Sequence, residues 1–246
     1  MFESNRDGNW ELYLLDVTGD GVPVRLTDNP GNDINAFWTP DGSAVYFQSD
    51  RDGNWEIYRL DIPGGDLTRI TNNGLEDQEP VISYDGTLLA WLQRDDYGVY
   101  NLMLMTLATN DVRQMTDTGT DVGGVVFAPD DSFLAFHSNV DGNYDVYTVE
   151  VASGTIKNVT ANPGEDRAPA FLCGSPLILF QSDRDAGPEL PGAHELFQTN
   201  PLPFNAPAGP AALLTNGPLS DELFPNGMDR EERNTRAGQI PAHHSQ

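Results

Sequence analysis

The chain has 246 residues, of which 38% are hydrophobic, and its 38 acidic and 13 basic residues give a formal net charge of −25. This length and apolar content suit one large domain or two small ones. Nucleic acid and anionic membrane surfaces are excluded as favoured partners, because a phosphate-binding face needs clustered basic residues and Lys157 is the single lysine. The chain offers neither an apolar run of about 18 residues nor a signal peptide, so we expect no membrane insertion.

A ten-residue stretch, SDRDGNWEIY at 49–58, has near copies along the chain. The copies begin at residues 4, 49, 93, 138 and 182, so the period is 44 or 45 residues. A second marker of the type LTDNPGND follows each copy, beginning at residues 26, 70, 115, 159 and 214. Five units that share two markers in the same order indicate an internal repeat.

The first unit is short, since Phe2 aligns with Phe47 and everything before that point of the unit is missing. The second unit shows the whole pattern, in which apolar stretches alternate with Gly, Asp, Asn and Pro turns as in β-strands. It predicts four strands, at residues 34–38, 44–49, 55–62 and 67–71. They form an antiparallel meander.

A period of about 40 to 45 residues with four strands per unit is typical of a β-propeller blade, which buries its faces by stacking on its neighbours. The third strand supports this, because Trp55 and Ile57 point to one side of the sheet while Tyr58 and Leu60 point to the other. We therefore predict an all-β fold, a β-propeller of four-stranded antiparallel blades over residues 1–225. Residues 226–246 have little apolar content and are predicted to be a disordered tail.

The repeated SDRDGNWEIY, followed by LTDNPGND and then FWTPDG, resembles the TolB-like, or WD-like, propeller repeat. The resemblance covers residues 1 to about 225. It implies a module that binds partner proteins, or a non-catalytic propeller of the kind fused to prolyl-peptidase domains, and a periplasmic or extracellular location. The family usually closes six blades, whereas five units are visible here. The chain is thus either a five-bladed ring or a piece of a ring of six or more blades.

The segment SDELFPNG at 220–227 is a candidate for the strand that the first unit lacks. Pairing with the first unit would close the ring by joining both ends of the chain in one blade. A piece of a larger propeller, with its first blades absent, explains the short first unit equally well. The sequence leaves both explanations open.

An aspartate recurs six residues after the threonine of the second marker, just before the innermost strand. Strand order gathers these aspartates around the mouth of the central channel. Each one can accept hydrogen bonds from nearby backbone N–H groups and hold the connection into its blade. Alternatively, the ring of carboxylates can bind a hard cation such as Ca²⁺. The predicted ring, in which one member comes one place early, consists of Asp33, Asp77, Asp121, Asp166 and Asp221.

Departures from the repeat are the candidate partner-binding positions. The third unit offers Tyr97 and Tyr100 where the other units have glycine and an aromatic residue. The fifth unit contains Pro- and Gly-rich insertions that carry His194 and Phe204, and such loops on a rigid scaffold commonly bind partners. His194 also aligns with Trp55, so packing in the third strand explains it as well.

No Gly-x-Ser-x-Gly elbow, phosphate-binding Gly-x-x-x-x-Gly-Lys loop or His-Glu-x-x-His pair occurs in the sequence. The leading hypothesis is a propeller that binds a protein or peptide and has no catalysis of its own. The first alternative is a carbohydrate-active enzyme that uses paired carboxylates at the channel mouth as a glycosidase does. A propeller detached from a prolyl-peptidase-type hydrolase is the second. Ca²⁺ is the one candidate cofactor.

Overall fold

A computed structural model describes residues 1–19, 21–172, 175–184, 195–199 and 211–213. In these residues the chain forms nineteen β-strands and no helix, so the predicted all-β fold is confirmed. The strands make five antiparallel sheets in chain order, each built from consecutive strands. Within the same residues, no helix has the length and hydropathy needed to cross a membrane.

The first sheet has three strands, and each of the other four sheets has four. The first sheet consists of β1 (Phe2–Ser4), β2 (Glu11–Leu14) and β3 (Val24–Arg25). The second consists of β4 (Asp33–Trp38), β5 (Ala44–Ser49), β6 (Glu56–Asp61) and β7 (Leu67–Arg69). The third consists of β8 (Glu76–Ile82), β9 (Leu88–Arg94), β10 (Tyr100–Thr106) and β11 (Asp111–Gln114). The fourth consists of β12 (Val122–Phe127), β13 (Phe133–Ser138), β14 (Asp145–Glu150) and β15 (Ile156–Asn158). The fifth consists of β16 (Asp166–Phe171), β17 (Ile178–Ser182), β18 (Glu195–Thr199) and β19 (Ala212–Leu213).

The four strands predicted in the second unit are confirmed, each within two residues at either end. The turns between them follow from local chemistry. The β4–β5 turn is held by Asp41, whose carboxylate accepts hydrogen bonds from the Ser43 backbone N–H at 3.0 Å and from the Thr39 hydroxyl at 2.7 Å. In the β5–β6 hairpin, Gly53 has a φ of 104°, a conformation that side chains other than glycine rarely adopt.

The first strand of each complete sheet lies at the centre of the fold. Strands β4, β8, β12 and β16 contact one another in succession, and each later one also packs across the preceding sheet. β16, for example, contacts β12, β13 and β14. This arrangement places successive sheets as neighbouring blades around a central channel, as predicted for a propeller.

A separate hydrophobic core fills each junction between sheets. Between the second and third sheets, Ile57 packs with Leu89 and Trp91. On the opposite face of the second sheet, Tyr58 and Leu60 belong to the core shared with the first sheet. The predicted division of the third strand between two apolar faces is therefore confirmed.

A β-bulge interrupts the innermost strand of the four complete sheets, where the pairing register shifts. The residue at the bulge has a positive φ in every case, namely Asn35, Glu79, Gly124 and Ala168. A bulged residue leaves its N–H without a partner in its own ladder. The preceding sheet supplies one, since the Glu79 N–H donates to Oε1 of Gln48 at 2.7 Å. The bulges thus become hydrogen-bonded links between blades.

The alignment of Phe2 with Phe47 has a structural counterpart. Phe2 pairs with Tyr13 across β1 and β2 as Phe47 pairs with Tyr58 across β5 and β6, so β1 is equivalent to the second strand of the other sheets. The predicted closing strand at 220–227 and the predicted tail at 226–246 lie outside the described residues. The domain boundaries remain predictions.

Candidate functional site

The hairpin face of the propeller carries the β1–β2 hairpin at residues 5–10 and the equivalent hairpins between the second and third strands of the next three sheets, at residues 50–55, 95–99 and 139–144. The connections between sheets reach the same face. The Asn32 N–H donates to Oδ1 of Asp50 in the hairpin at 2.5 Å, and the Asp50 N–H donates to the Asn32 carbonyl at 3.3 Å. The described members of the predicted ring and the predicted partner-binding tyrosines therefore belong to one face.

Asp33 begins β4, and its side chain is fully buried. Arg51 from the hairpin of the same sheet donates one terminal nitrogen to both carboxylate oxygens, at 2.9 and 2.8 Å. Asn29 donates to Oδ2 at 2.6 Å. The register that pairs Asp33 with Ser49 brings the start of β4 beside the hairpin. The carboxylate therefore ties the connection between two sheets to the hairpin.

Asp166 has the equivalent partners at the start of the fifth sheet, but both bind Oδ2, and the buried Oδ1 has no partner among the described residues. It is buried, and it accepts hydrogen bonds from Arg184 at 2.7 Å and from Asn162 at 2.7 Å. Its backbone N–H donates to the carbonyl of Tyr144 in the preceding sheet at 2.7 Å. The repeated aspartate thus holds side chains together within its own sheet. Its backbone N–H joins that sheet to the preceding one.

Asp77 is the second residue of β8 and is buried with uncharged partners. Trp91 and Gln93 donate to Oδ1, each at 2.8 Å, and Asn73 donates to Oδ2 at 2.6 Å. Burial raises the pKa of Asp77 above the ordinary value for aspartate, and these hydrogen bonds oppose the rise. Burial also raises the pKa of Asp33, with Arg51 among the opposing groups.

The partners differ from those predicted for a structural role. We expected backbone N–H groups as donors, whereas side chains from the same repeat unit donate to Asp33. This matters for the site, because donors of the same sheet occupy lone pairs that a cation would otherwise use.

Asp121 departs from the ring. It is exposed, and its Oδ1 accepts a hydrogen bond from the Tyr100 N–H at 3.1 Å. The position equivalent to Asp33 is Val122, which is buried in the core between the third and fourth sheets. The position equivalent to Arg51 is Val140. The fourth sheet has therefore lost both members of the ion pair.

The remaining member of the predicted ring, Asp221, lies outside the described residues. Over those residues, no group of three or more His, Cys, Asp or Glu side chains is placed to hold a metal ion. The Ca²⁺ site at the channel mouth stays a prediction.

A second buried carboxylate supports the hairpin face and was missed in the sequence. Oε1 of Glu56 accepts hydrogen bonds from Arg69 at 2.8 Å, from Asn54 at 3.0 Å and from the Asn73 N–H at 3.1 Å. Asn54 also donates to the carbonyl of Leu75 in the next connection at 2.6 Å. The repeated Asn-x-Glu of the hairpin was its sequence signal.

A cleft of about 500 Å³ opens on the hairpin face between the fourth and fifth sheets, and its walls include Asn139, Tyr144, Glu165 and Arg167. The guanidinium of Arg167 lies over the Tyr144 ring, 3.4 Å from the centroid. It also donates to Glu165 at 3.1 Å in an exposed ion pair. The cleft therefore combines a stacked cation with carboxylate and amide groups.

The Tyr144 ring also contacts the ring of His137, with ring centroids 5.6 Å apart. His137 stands where Gln48 stands in the second sheet. The imidazole lies against the backbone of Gly123 and Gly124, where an added Cβ would approach it to 2.9 and 2.8 Å. Burial and, to a smaller extent, the charge of Arg167 together lower the pKa of His137 to about 4. His137 is therefore neutral at pH 7.

Glu79 meets the same bulge of β12. The Gly124 N–H donates to the Glu79 carboxylate, which opposes the rise in pKa that burial causes. Glu79 and His137 thus contact one glycine from two directions. Their placement brings an acid of raised pKa and a neutral imidazole together at the bulge of β12.

A family model described as the TolB beta propeller domain matches residues 1–126, which is just over half of the chain. The chain belongs to the TolB beta propeller domain family. The predicted resemblance is therefore confirmed. No curated protein matches the sequence.

Solved structures similar to this TolB-family propeller agree with its fold. TolB from Acinetobacter baumannii has a TM-score of 0.64 and 20% identity, over 84% of this chain and 49% of that one. The putative TolB from Agrobacterium tumefaciens has a TM-score of 0.66 and 19% identity, over 83% and 73%. An oligogalacturonate lyase in complex with manganese has a TM-score of 0.65 and 19% identity, over 86% and 61%. The chain spans about half the length of the Acinetobacter protein, and identities this low show the fold alone.

The TolB-family propeller places the predicted partner-binding tyrosines differently. Tyr97, at the tip of the third hairpin, has a side chain that is 93% exposed. Tyr100 is half-buried, with the guanidinium of Arg94 5.8 Å from its ring centroid, and burial raises its pKa. Tyr97 is therefore accessible to a partner, whereas Tyr100 belongs in part to the packing of its sheet. His194 and Phe204 lie outside the described residues, and their partner-binding roles stay predictions.

Proposed function

We propose that this TolB-family propeller is a protein-binding module without catalytic activity, and that it binds a protein or peptide segment on the hairpin face. The observation that carries the proposal is Tyr97, whose ring is almost wholly exposed on a short hairpin of a rigid sheet. Aromatic side chains are enriched among the residues that dominate binding energies at protein interfaces. Membership of the TolB beta propeller domain family agrees with a role of this kind.

The engaged state of the buried aspartates supports this proposal. Asp33 and Asp166 are ion-paired to arginines of their own sheets, and Asp77 accepts three hydrogen bonds. Carboxylates held in this way stabilise the connections between blades. They leave the recognition of a partner to the exposed residues that depart from the repeat.

The test is a binding experiment with a library of random twelve-residue peptides displayed on phage. The immobilised protein should enrich peptides whose synthetic versions bind it in solution, as measured by calorimetry. Tyr97→Ser should weaken the enriched peptides about tenfold or more, the loss typical of an interface hot spot. Tyr84→Ser is the matched control, because Tyr84 is 59% exposed in the turn between β8 and β9 at the opposite ends of these strands. Equal effects of the two substitutions, or no enrichment at all, would contradict the proposal.

A second candidate function is that of a carbohydrate-active enzyme, and the placement of Glu79 and His137 at Gly124 favours it. A carboxylic acid of raised pKa is the usual proton donor to a leaving glycosidic oxygen, and a neutral imidazole can accept a proton. One of the similar folds is an oligogalacturonate lyase. In this case Glu79→Gln should abolish sugar release from a panel of plant and bacterial polysaccharides without lowering the unfolding midpoint. Absence of any sugar release by the parent protein would exclude this candidate.

The prolyl-peptidase hypothesis concerns a longer protein than this chain. It proposes that the propeller gates access of peptides to a hydrolase domain. Adding a separately produced hydrolase domain of this type should then raise or restrict its peptide cleavage. This hypothesis stays a prediction.

A further inference from the structure

Arg167, in the cleft between the fourth and fifth sheets, does not belong to the repeat. The equivalent residues of the other innermost strands carry no charge and are Ile34, Gln78 and Gly123. The ion pair of the fifth sheet is made by a different arginine, Arg184, which binds Asp166. Arg167 is therefore an additional cation at the channel mouth, and the packing of the blade does not explain it.

The contacts of Arg167 orient its side chain but leave its guanidinium accessible to a further partner. Stacking on Tyr144 fixes the plane of the guanidinium at 3.4 Å from the ring centroid. Among the described residues its one charged partner is the exposed carboxylate of Glu165, and the two side chains are 43% and 38% exposed. An exposed ion pair of this kind contributes little to stability, so another carboxylate can replace Glu165 at little cost. A planar guanidinium offers two parallel donors to such a group.

Asn139 provides a second polar group in the same cleft. Its Oδ1 is buried and accepts no hydrogen bond from any described residue. The equivalent residue of the second sheet, Asp50, accepts two hydrogen bonds from Asn32 in the adjoining connection. The fourth sheet has Asp121 in place of Asn32, and no described donor reaches Asn139. Because this oxygen is closed to solvent, a ligand does not contact it directly, and the fourth sheet simply lacks the link that Asp50 and Asn32 make in the second.

We propose that this cleft binds an acidic side chain of a peptide segment, with the carboxylate on Arg167. This inference rests on the proposed protein-binding function and names the chemistry of the partner. The net charge of −25 repels acidic segments at long range. Recognition therefore depends on the local pair in the cleft, where Glu165 competes with the ligand for Arg167.

The experiment uses the phage library of twelve-residue peptides, displayed without a free C-terminus, on three proteins in parallel. They are the parent, Arg167→Gln and the control Arg59→Gln. Arg59 is matched because it makes an equally exposed ion pair with Asp61, with both side chains 36% exposed. The parent and the control should enrich peptides with Asp or Glu at one position, and Arg167→Gln should lose this preference.

A double-mutant cycle then tests the contact itself. The most enriched peptide and its Glu→Gln or Asp→Asn version are measured by calorimetry against the parent and Arg167→Gln. Each single change should weaken binding about two- to fivefold, the loss typical of an exposed ion pair, and the two together should weaken it no further. Glu165→Gln should strengthen binding, because it removes the competing carboxylate.

The failures are distinguishable. If the parent enriches no peptide, the proposed function and this inference both fail. If it enriches peptides that are basic or neutral, or if the effects of the two changes in the cycle simply add, the module binds peptides but the cleft does not recognise a carboxylate. Circular dichroism and urea unfolding of Arg167→Gln should match the parent, since the side chain is exposed.

Discussion

The second and fourth sheets solve the same structural problem with different chemistry. In the second sheet, Asp33 at the start of the innermost strand pairs with Arg51 in the hairpin. In the fourth sheet, Val122 and Val140 stand at these positions, and Val122 joins the apolar core. Both sheets have the same strand order. The ion pair is therefore one way to join hairpin and innermost strand, and the fold does not require it.

The second and fourth sheets also differ beside the bulge of their innermost strands. The second sheet places Gln48 where the fourth sheet places His137, and only beside His137 do two consecutive glycines, Gly123 and Gly124, make room for a ring in the described part of the chain. The regular sheet serves stability. The irregular one carries the groups that suit binding or proton transfer.

The largest expected effect is removal of one half of the ion pair. Arg51→Met leaves the fully buried Asp33 carboxylate without its cation, and should lower the free energy of unfolding by about 3 to 5 kcal/mol in urea unfolding. The control Arg59→Met breaks the exposed pair with Asp61 and should cost less than about 1 kcal/mol. Equal costs would show that the buried pair contributes nothing special.

Copying the fourth sheet into the second sharpens the same comparison. The double substitution Asp33→Val with Arg51→Val removes both charges and supplies apolar groups, and exchanges of this kind are often neutral or stabilising. It should therefore cost less than Arg51→Met alone, as measured by urea unfolding. A greater cost would mean that the ion pair, and not the space it fills, holds the hairpin.

Substitution of the glycines beside His137 in the fourth sheet should destabilise the protein. Gly124→Ala adds a Cβ that lies 2.8 Å from Nδ1 of His137, at a φ of +61°, and should cost about 2 kcal/mol. The control Gly42→Ala has a φ of +71° and nothing within 4 Å, so it meets only the backbone penalty, about 1 kcal/mol. Combining Gly124→Ala with His137→Ala should recover part of the loss, and a purely additive result would contradict the close approach.

The buried imidazole should make the fourth sheet sensitive to acid. The pKa of His137 is about 4 when folded, below the ordinary value, so the unfolded chain takes up a proton first as the pH falls. The stability that neutral His137 contributes is complete above about pH 6.5 and is lost toward pH 4. Between pH 7 and pH 5 the parent should lose about 1 to 2 kcal/mol more than His137→Gln, which carries the residue of the second sheet. Parallel pH profiles in urea unfolding would refute this.

The smallest effect concerns the bulge of the fifth sheet. Ala168 has a φ of 51°, which costs a side chain about 1 kcal/mol, so Ala168→Gly should be neutral or stabilise the protein by up to about 1 kcal/mol. Ala44→Gly, in a buried strand without positive φ, should instead destabilise it by about 1 kcal/mol. Thermal unfolding of the two variants should therefore shift in different directions.

The repeat made the strands predictable, because its turns are marked by Asp-Gly and Pro-containing stretches and its apolar residues alternate between them. The positions of Asp33, Asp77 and Asp166 at the start of innermost strands follow from the same period. Their partners did not follow, because Arg51 reaches Asp33 only through the register of two antiparallel strands. One signal was present in the sequence: where the aspartate becomes Val122, the arginine becomes Val140.

The cleft was beyond prediction for a further reason. Arg167 and Tyr144 belong to different sheets, and their contact depends on how one sheet stacks on the next. A repeat unit read alone contains no information about that stacking distance. Exposure had the same limit, since Tyr97 and Tyr100 look alike in the sequence and differ in the fold.

The strand order has a consequence for synthesis. Every strand in the described sheets pairs with its neighbour in the chain, so each sheet can form as soon as its own stretch leaves the ribosome. The face that will contact the next sheet is nevertheless apolar, because the cores lie between sheets. It stays exposed to solvent until the next sheet folds against it. The most recently synthesised blade of a growing chain therefore exposes an apolar face. The rate of translation determines how long this face can bind other molecules.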